Sequence, residues 1–149
     1  MRALLDVNVL IALFDAEHIH HRAASQWFAE HGREGWATCP LTQNGCIRIL
    51  SQAAYLNRTS ARLIVEILAD AIETPDHEFW PDSLSFLTPG LLDWRKVLTG
   101  RHLTDLYLLA LATSHEGSFV TLDRGVATDA VPNVISRHLV ILSTNERNP

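Results

Sequence analysis

The chain has 149 residues, 47% of them hydrophobic and 19% charged, the composition of one ordinary folded domain and not of a disordered or low-complexity chain. Twelve Lys and Arg against 17 Asp and Glu give a formal net charge of −5. That excludes a protein that coats nucleic acid through bulk positive charge, and leaves room for a local basic groove. No apolar run approaches the ~18 residues of a membrane span. Met1-Arg2 leads directly into a strand-like segment, so no signal or transit peptide is expected. Cys39 and Cys46 are the only cysteines, too few for a disulfide framework, and a cytoplasmic setting is expected.

Arg2-Ala3-Leu4-Leu5 is an apolar run closed by Asp6, and predicts a buried strand of the parallel type. Val7 to Phe14 predicts a short helix. His18 to Glu30 carries Ala23, Ala24, Trp27 and Phe28 at helical spacing. The run His31 to Gly35 breaks that helix, and Trp36 to Cys39 predicts a second strand closed by Pro40. Pro40 suits the first turn of a third helix reaching about Tyr55, with Leu41, Ile47 and Leu50 on its inner face. Ser60 is placed to cap a helix from Ala61 to Ile72. Phe79 to Ser83 reads as a loop flanked by short extended pieces, and Leu91 to Leu98 as a short helix ended by Gly100. Thr104 is the expected cap of an apolar helix from Asp105 to Ser114. Gly117 stops it, Ser118 to Leu122 predicts a strand, and Leu139 to Leu142 predicts the last one. Strands alternating with helices, several of them short continuous apolar runs, predict a single α/β domain over residues 1–149. A mainly parallel central sheet would lie between helical layers.

In such sheets ligands sit beyond the carboxyl ends of the strands. Asp6 ends the first strand and Asp123 follows the Ser118–Leu122 strand. Asp105 opens the helix leading into that strand, so a right-handed crossover can bring all three acids to one edge. Three carboxylates there repel one another unless a cation neutralises them, and all-oxygen ligands favour Mg²⁺ or Mn²⁺ over zinc. Each acid alone has an ordinary explanation as well: Asp105 complements a helix dipole, and Asp123 before Arg124-Gly125 suits a turn.

The motifs around these acids carry a resemblance. Leu4 to Leu13 resembles the opening of a PIN-domain ribonuclease. Thr104 to Ala112 is similar to that family's third acidic motif, and Val120 to Gly125 to its last. Cys39 to Gly45, Phe79 to Asp82 and the His-rich stretch His18 to Ala23 are similar to segments of VapC-type toxins of bacterial toxin–antitoxin modules. The resemblance runs from Arg2 to about Leu142. It implies a three-layer PIN-like fold and a Mg²⁺- or Mn²⁺-dependent endoribonuclease in which Asp6, Asp105 and Asp123 are the metal ligands and catalytic acids. It further implies an RNA substrate, a cognate antitoxin protein and a homodimer.

One departure stands out. Many members place a glutamate on the third helix, where this chain reads Thr42-Gln43-Asn44-Gly45-Cys46. Gln43 or Asn44, with Asn44 the preferred of the two, can offer only a neutral oxygen, so the site has one negative charge fewer. Asn8 either supports the site by hydrogen bonding or caps the first helix. Asp82 and Asp129 could replace the missing acid, but both also read as solvated surface residues. Arg48, Arg101, His102 and Arg124 lie near the acidic motifs and are candidate phosphate contacts, Arg being suited to bidentate recognition. Arg48 could equally be a solvated helix residue, and Arg124 an ion-pair partner of Asp123. His18, His20 and His21 cluster without cysteines at finger spacing and read as a surface group. The competing function is a catalytically weakened PIN-fold module that binds RNA or protein. A phosphatase of the haloacid-dehalogenase type is disfavoured, because Asn8 stands where its second acid is needed.

Overall fold

A computed structural model describes residues 1–143; the end of the expected domain, residues 144–149, lies outside it. Five strands form one sheet: β1 (Ala3–Leu5), β2 (Trp36–Thr38), β3 (His77–Phe79), β4 (Ser118–Thr121) and β5 (Leu139–Ile141). Their order is β3-β2-β1-β4-β5, and every neighbouring pair is parallel. All five carboxyl ends therefore share one edge, and β1 lies at the centre. Its register sets Leu5 beside Val120, which brings the residues following β1 and β4 together.

Alternation along the strands sends side chains to two cores. Leu4, Ala37 and Phe119 pack against α5 (Leu103–Ser114), whose residues Leu106 to Ala112 are all buried. Ala3, Leu5, Trp36 and Val120 face the opposite layer. That layer is built from α1 (Val7–Phe14), α2 (His21–His31), α3 (Pro40–Ser51) and α4 (Ala61–Ile72). The sheet is thus covered on both sides, as continuous apolar strands require, and the three-layer α/β architecture stands.

Several local expectations are corrected. The segment 91–98 is not a helix: only Trp94–Lys96 forms a 3₁₀ turn. Asp93 gives its backbone N–H to the Ala130 carbonyl at 2.8 Å, and the Lys96 and Val97 N–H groups close short-range bonds to the Asp93 and Trp94 carbonyls in place of a helical ladder. Thr104 does not cap α5, because the 3₁₀ turn Gly100–His102 runs straight into a helix that starts at Leu103. The capping hydroxyl of that turn belongs to Thr99, which accepts from the Arg101 N–H. Helix α2 begins at His21, after a turn in which the His20 N–H donates to His18 Nδ1. Helix α3 stops at Ser51, short of Tyr55. Leu41 is 39% exposed; the inner face of α3 is Thr42, Gly45, Cys46 and Leu50. His77–Phe79, expected only as an extended piece, is an edge strand of the sheet. Among the described residues no helix is long and apolar enough to cross a membrane.

Candidate active site

Asp6 follows β1 directly and caps α1. Its Oδ1 accepts from the Val7 N–H at 2.7 Å, and its Oδ2 accepts from the Thr121 hydroxyl at 2.6 Å. The side chain is 5% exposed. Burial pushes its carboxyl up to about 6, against the Thr121 bond, which lowers it; the charges of Asp105 and Asp123 add to the rise. Asp105 lies in the first turn of α5. Burial raises its pKa and Asp123's charge adds to this, against the neighbouring His102, which lowers it. These couplings place the three acids within electrostatic reach of one another.

The tighter grouping includes a residue that reading the acids alone does not reveal. His102 Nδ1 lies 3.4 Å from Asp105 Oδ2 and 3.7 Å from Asp123 Oδ2. Among the described residues, one ligand atom each from His102, Asp105 and Asp123 all fall within 4.8 Å. Asp6 stands behind this group with both oxygens already engaged. Asp123 is set by its own turn, Oδ1 accepting the Gly125 N–H at 2.7 Å. Two carboxylates and an imidazole, backed by a third carboxylate, suit a divalent cation.

Thr121, which sequence reading missed, ties the acids together. Besides donating to Asp6, its hydroxyl accepts from Asn8 Nδ2 at 3.3 Å and from the Asp123 backbone N–H at 3.0 Å. Asn8 Oδ1 accepts the Leu122 N–H at 3.2 Å, so Asn8 fastens α1 to the end of β4 instead of capping α1. No local signal marks Thr121; only the pairing of β1 with β4 brings it to Asp6.

On α3, Gln43 is half-buried and its Nε2 donates to Thr38 Oγ1 at 2.9 Å, while Asn44 is exposed. Arg48, Arg101 and Arg124 are all exposed. Among the described residues, Asp123 pairs with His102 and not with Arg124. Asp82 and Asp129 are exposed. In the histidine cluster, His21 Nδ1 donates to the Ala12 carbonyl at 2.7 Å and His18 Nδ1 accepts the His20 N–H, while His20 Nδ1 is buried without a hydrogen-bond partner among the described residues. Cys39 and Cys46 are buried and free, with burial pushing their thiols up to about 11 and about 12. Trp36 and Trp80 are core residues, whereas Trp94 is 47% exposed.

A parallel sheet between helical layers, with acids gathered at its carboxyl edge, defines a PIN domain, and the family model of that name matches residues 3–130. Ribonuclease VapC44 of Mycobacterium tuberculosis is 44% identical over 142 residues, covering 95% of this chain and 100% of the relative. Ribonuclease VapC29 of the same species is 43% identical over 127 residues, covering 85% and 90%. The chain therefore belongs to the VapC ribonucleases of the PIN-domain family. A chain from the crystal structure of VapBC2 of Rickettsia felis, bound to a DNA fragment from its promoter, shares the fold. Its TM-score is 0.64 at 14% identity, covering 96% of this chain and 100% of that one.

Proposed function

We propose that this chain is a Mg²⁺- or Mn²⁺-dependent endoribonuclease, the toxin of a toxin–antitoxin pair, acting in the cytoplasm as a homodimer. The observation that carries the reading is the gathering of Asp6, Asp105 and Asp123 at one sheet edge. There burial and mutual repulsion raise the pKa of Asp6 and of Asp105. Such a set is costly for a metal-free protein and favourable for one that binds a cation. Asp6, Asp105 and Asp123 are the residues that would hold it. The chemistry such an ion supplies when bound is neutralisation of phosphate charge and a lowered pKa for a water.

The chain's own residues do the positioning. Thr121 and the Val7 N–H fix both oxygens of Asp6, and the Gly125 N–H fixes Asp123. Asn8 locks the start of α1 to the strand end that carries Asp123. Arg101 and Arg124 are exposed and adjoin His102 and Asp123 in the chain. With Arg48 they are assigned to RNA phosphates, for which a guanidinium offers paired donors.

The test is RNA cleavage by the purified protein in Mn²⁺ and in chelator. Cleavage is expected only with the metal, and Asp6→Asn and Asp105→Asn should each reduce it by at least about 100-fold. Intact RNA with folded wild-type protein would instead support a PIN-fold binding module, the reading that the neutral Gln43 favours.

A further inference from the structure

We propose that His102 is a nitrogen ligand of the metal site, compensating for the carboxylate that α3 lacks and turning the site's preference from Mg²⁺ toward Mn²⁺. This rests on the divalent-metal reading above and adds a donor to it.

The first observation is distance. Charge-assisted N–H to carboxylate bonds are about 2.7–2.9 Å long. His102 Nδ1 stands 3.4 Å from Asp105 Oδ2 and 3.7 Å from Asp123 Oδ2, too far for a tight ion pair with either. Donors around one octahedral ion with bonds near 2.1 Å are separated by about 3 Å when adjacent and about 4.2 Å when opposite. Neither His102 spacing exceeds the opposite-donor distance, so a shift of a few tenths of an ångström lets the ring share one ion with the carboxylates, and the three ligand atoms lie within 4.8 Å of one another.

The second observation is how the ring is held. The turn Gly100–His102 enters α5 without a break, so His102, the residue just before the helix, stands three positions ahead of Asp105. On the other side the ring packs near the Asp123–Gly125 turn. A Cβ added at Gly125 would come within 3.2 Å of Asp123 Oδ1 and 3.6 Å of His102 Cε1. The third observation concerns α3. The Gln43 amide nitrogen is spent on Thr38, whose hydroxyl also meets His77 Nε2 at 2.9 Å. Gln43 is therefore tied to the β2–β3 side by a neutral network and brings no charge to the acids.

Mg²⁺ keeps oxygen ligands and water, whereas imidazole favours transition ions at a mixed nitrogen and oxygen site. The wild-type protein should thus bind Mn²⁺ at least about tenfold more tightly than Mg²⁺. The test is pulsed electron paramagnetic resonance of the full-length protein loaded with Mn²⁺, together with calorimetric titration of Mn²⁺ and of Mg²⁺. Bound Mn²⁺ should show ¹⁴N modulation in the wild type. His102→Gln, which offers an amide oxygen, should still bind Mn²⁺ but lose that modulation, and its Mn²⁺-over-Mg²⁺ preference should fall by about tenfold. Wild-type protein that binds Mn²⁺ without ¹⁴N modulation overturns the proposal and leaves the metal reading intact. A preference unchanged in His102→Gln also overturns it, because a histidine that merely clamps the acids would not select between ions. Folded wild type that binds neither ion overturns the metal reading and this proposal together.

Discussion

At the scale of single residues, the site turns on how a buried carboxylate is held beside two others. The Thr121 hydroxyl donates to Asp6 and accepts from Asn8 and from the Asp123 backbone. Asp6 is pushed up to about 6 from an ordinary 3.8, by burial first. The folded, metal-free protein therefore keeps a proton that the unfolded chain releases. Stability from this group is fully present below about pH 4 and is lost as pH rises through about 6. The loss is about 3 kcal/mol at roughly 1.4 kcal/mol per pH unit. Denaturant titrations in chelator between pH 4 and pH 7 should show wild-type stability falling with pH, and Asp6→Asn should flatten the slope. Thr121→Val should move the midpoint of that fall upward, because it removes a bond that favours the charged carboxylate. A slope identical in wild type and Asp6→Asn would mean that Asp6 titrates normally.

At the scale of elements, the start of α1 is positioned by its contact with α3. A Cβ at Gly45 would lie 2.6 Å from Val7 Cγ2, and Val7 supplies the N–H that holds Asp6 Oδ1. Gly45→Ala should therefore cost about 1–3 kcal/mol through overpacking. It should also weaken Mn²⁺ binding, although position 45 is not a ligand. Chemical denaturation and calorimetry read the two effects separately. Full stability with full Mn²⁺ affinity would show that Val7 moves aside without disturbing Asp6. The inner face of α3 is centred on Thr42, Cys46 and Leu50, which leaves Leu41 at its margin in the first turn.

At the scale of the whole molecule, an ion that binds the folded site and little else stabilises the fold by RT ln(1 + [L]/Kd). At a free Mn²⁺ concentration 100 times Kd this is about 2.7 kcal/mol. Thermal melting should show a rise in Tm on adding Mn²⁺ to wild type and a much smaller rise for Asp105→Asn. Inducing wild-type protein in a bacterium should slow growth, and Asp105→Asn at equal abundance should relieve it. A wild-type-sized Mn²⁺ shift in Asp105→Asn would remove Asp105 from the ligand set.

Local chemistry was enough to read the parallel α/β layering. Leu4-Leu5, Phe119-Val120 and Leu139-Val140 are continuous apolar runs that only a sheet covered on both faces can bury, and Pro40 and Ser60 mark helix starts within one chain segment. Asp6 and Asp123 were legible for the same reason, because an acid just past an apolar strand falls at the ligand-binding edge of such a sheet. What depended on distant residues was not legible. Segment 91–98 has helical apolar spacing, yet the Asp93 N–H goes to Ala130. His77–Phe79 has no apolar run and is a strand only because β2 pairs with it. His102 was within reach as a polar residue beside an acidic motif, but its approach to Asp123 exists only after α5 crosses back to β4. Thr121 meets Asp6 across 115 positions of sequence. Propensity and periodicity act over a few residues and so determined the elements and their polarity. The register of β1 against β4 acts across the whole chain, and it alone decided which side chains share the site.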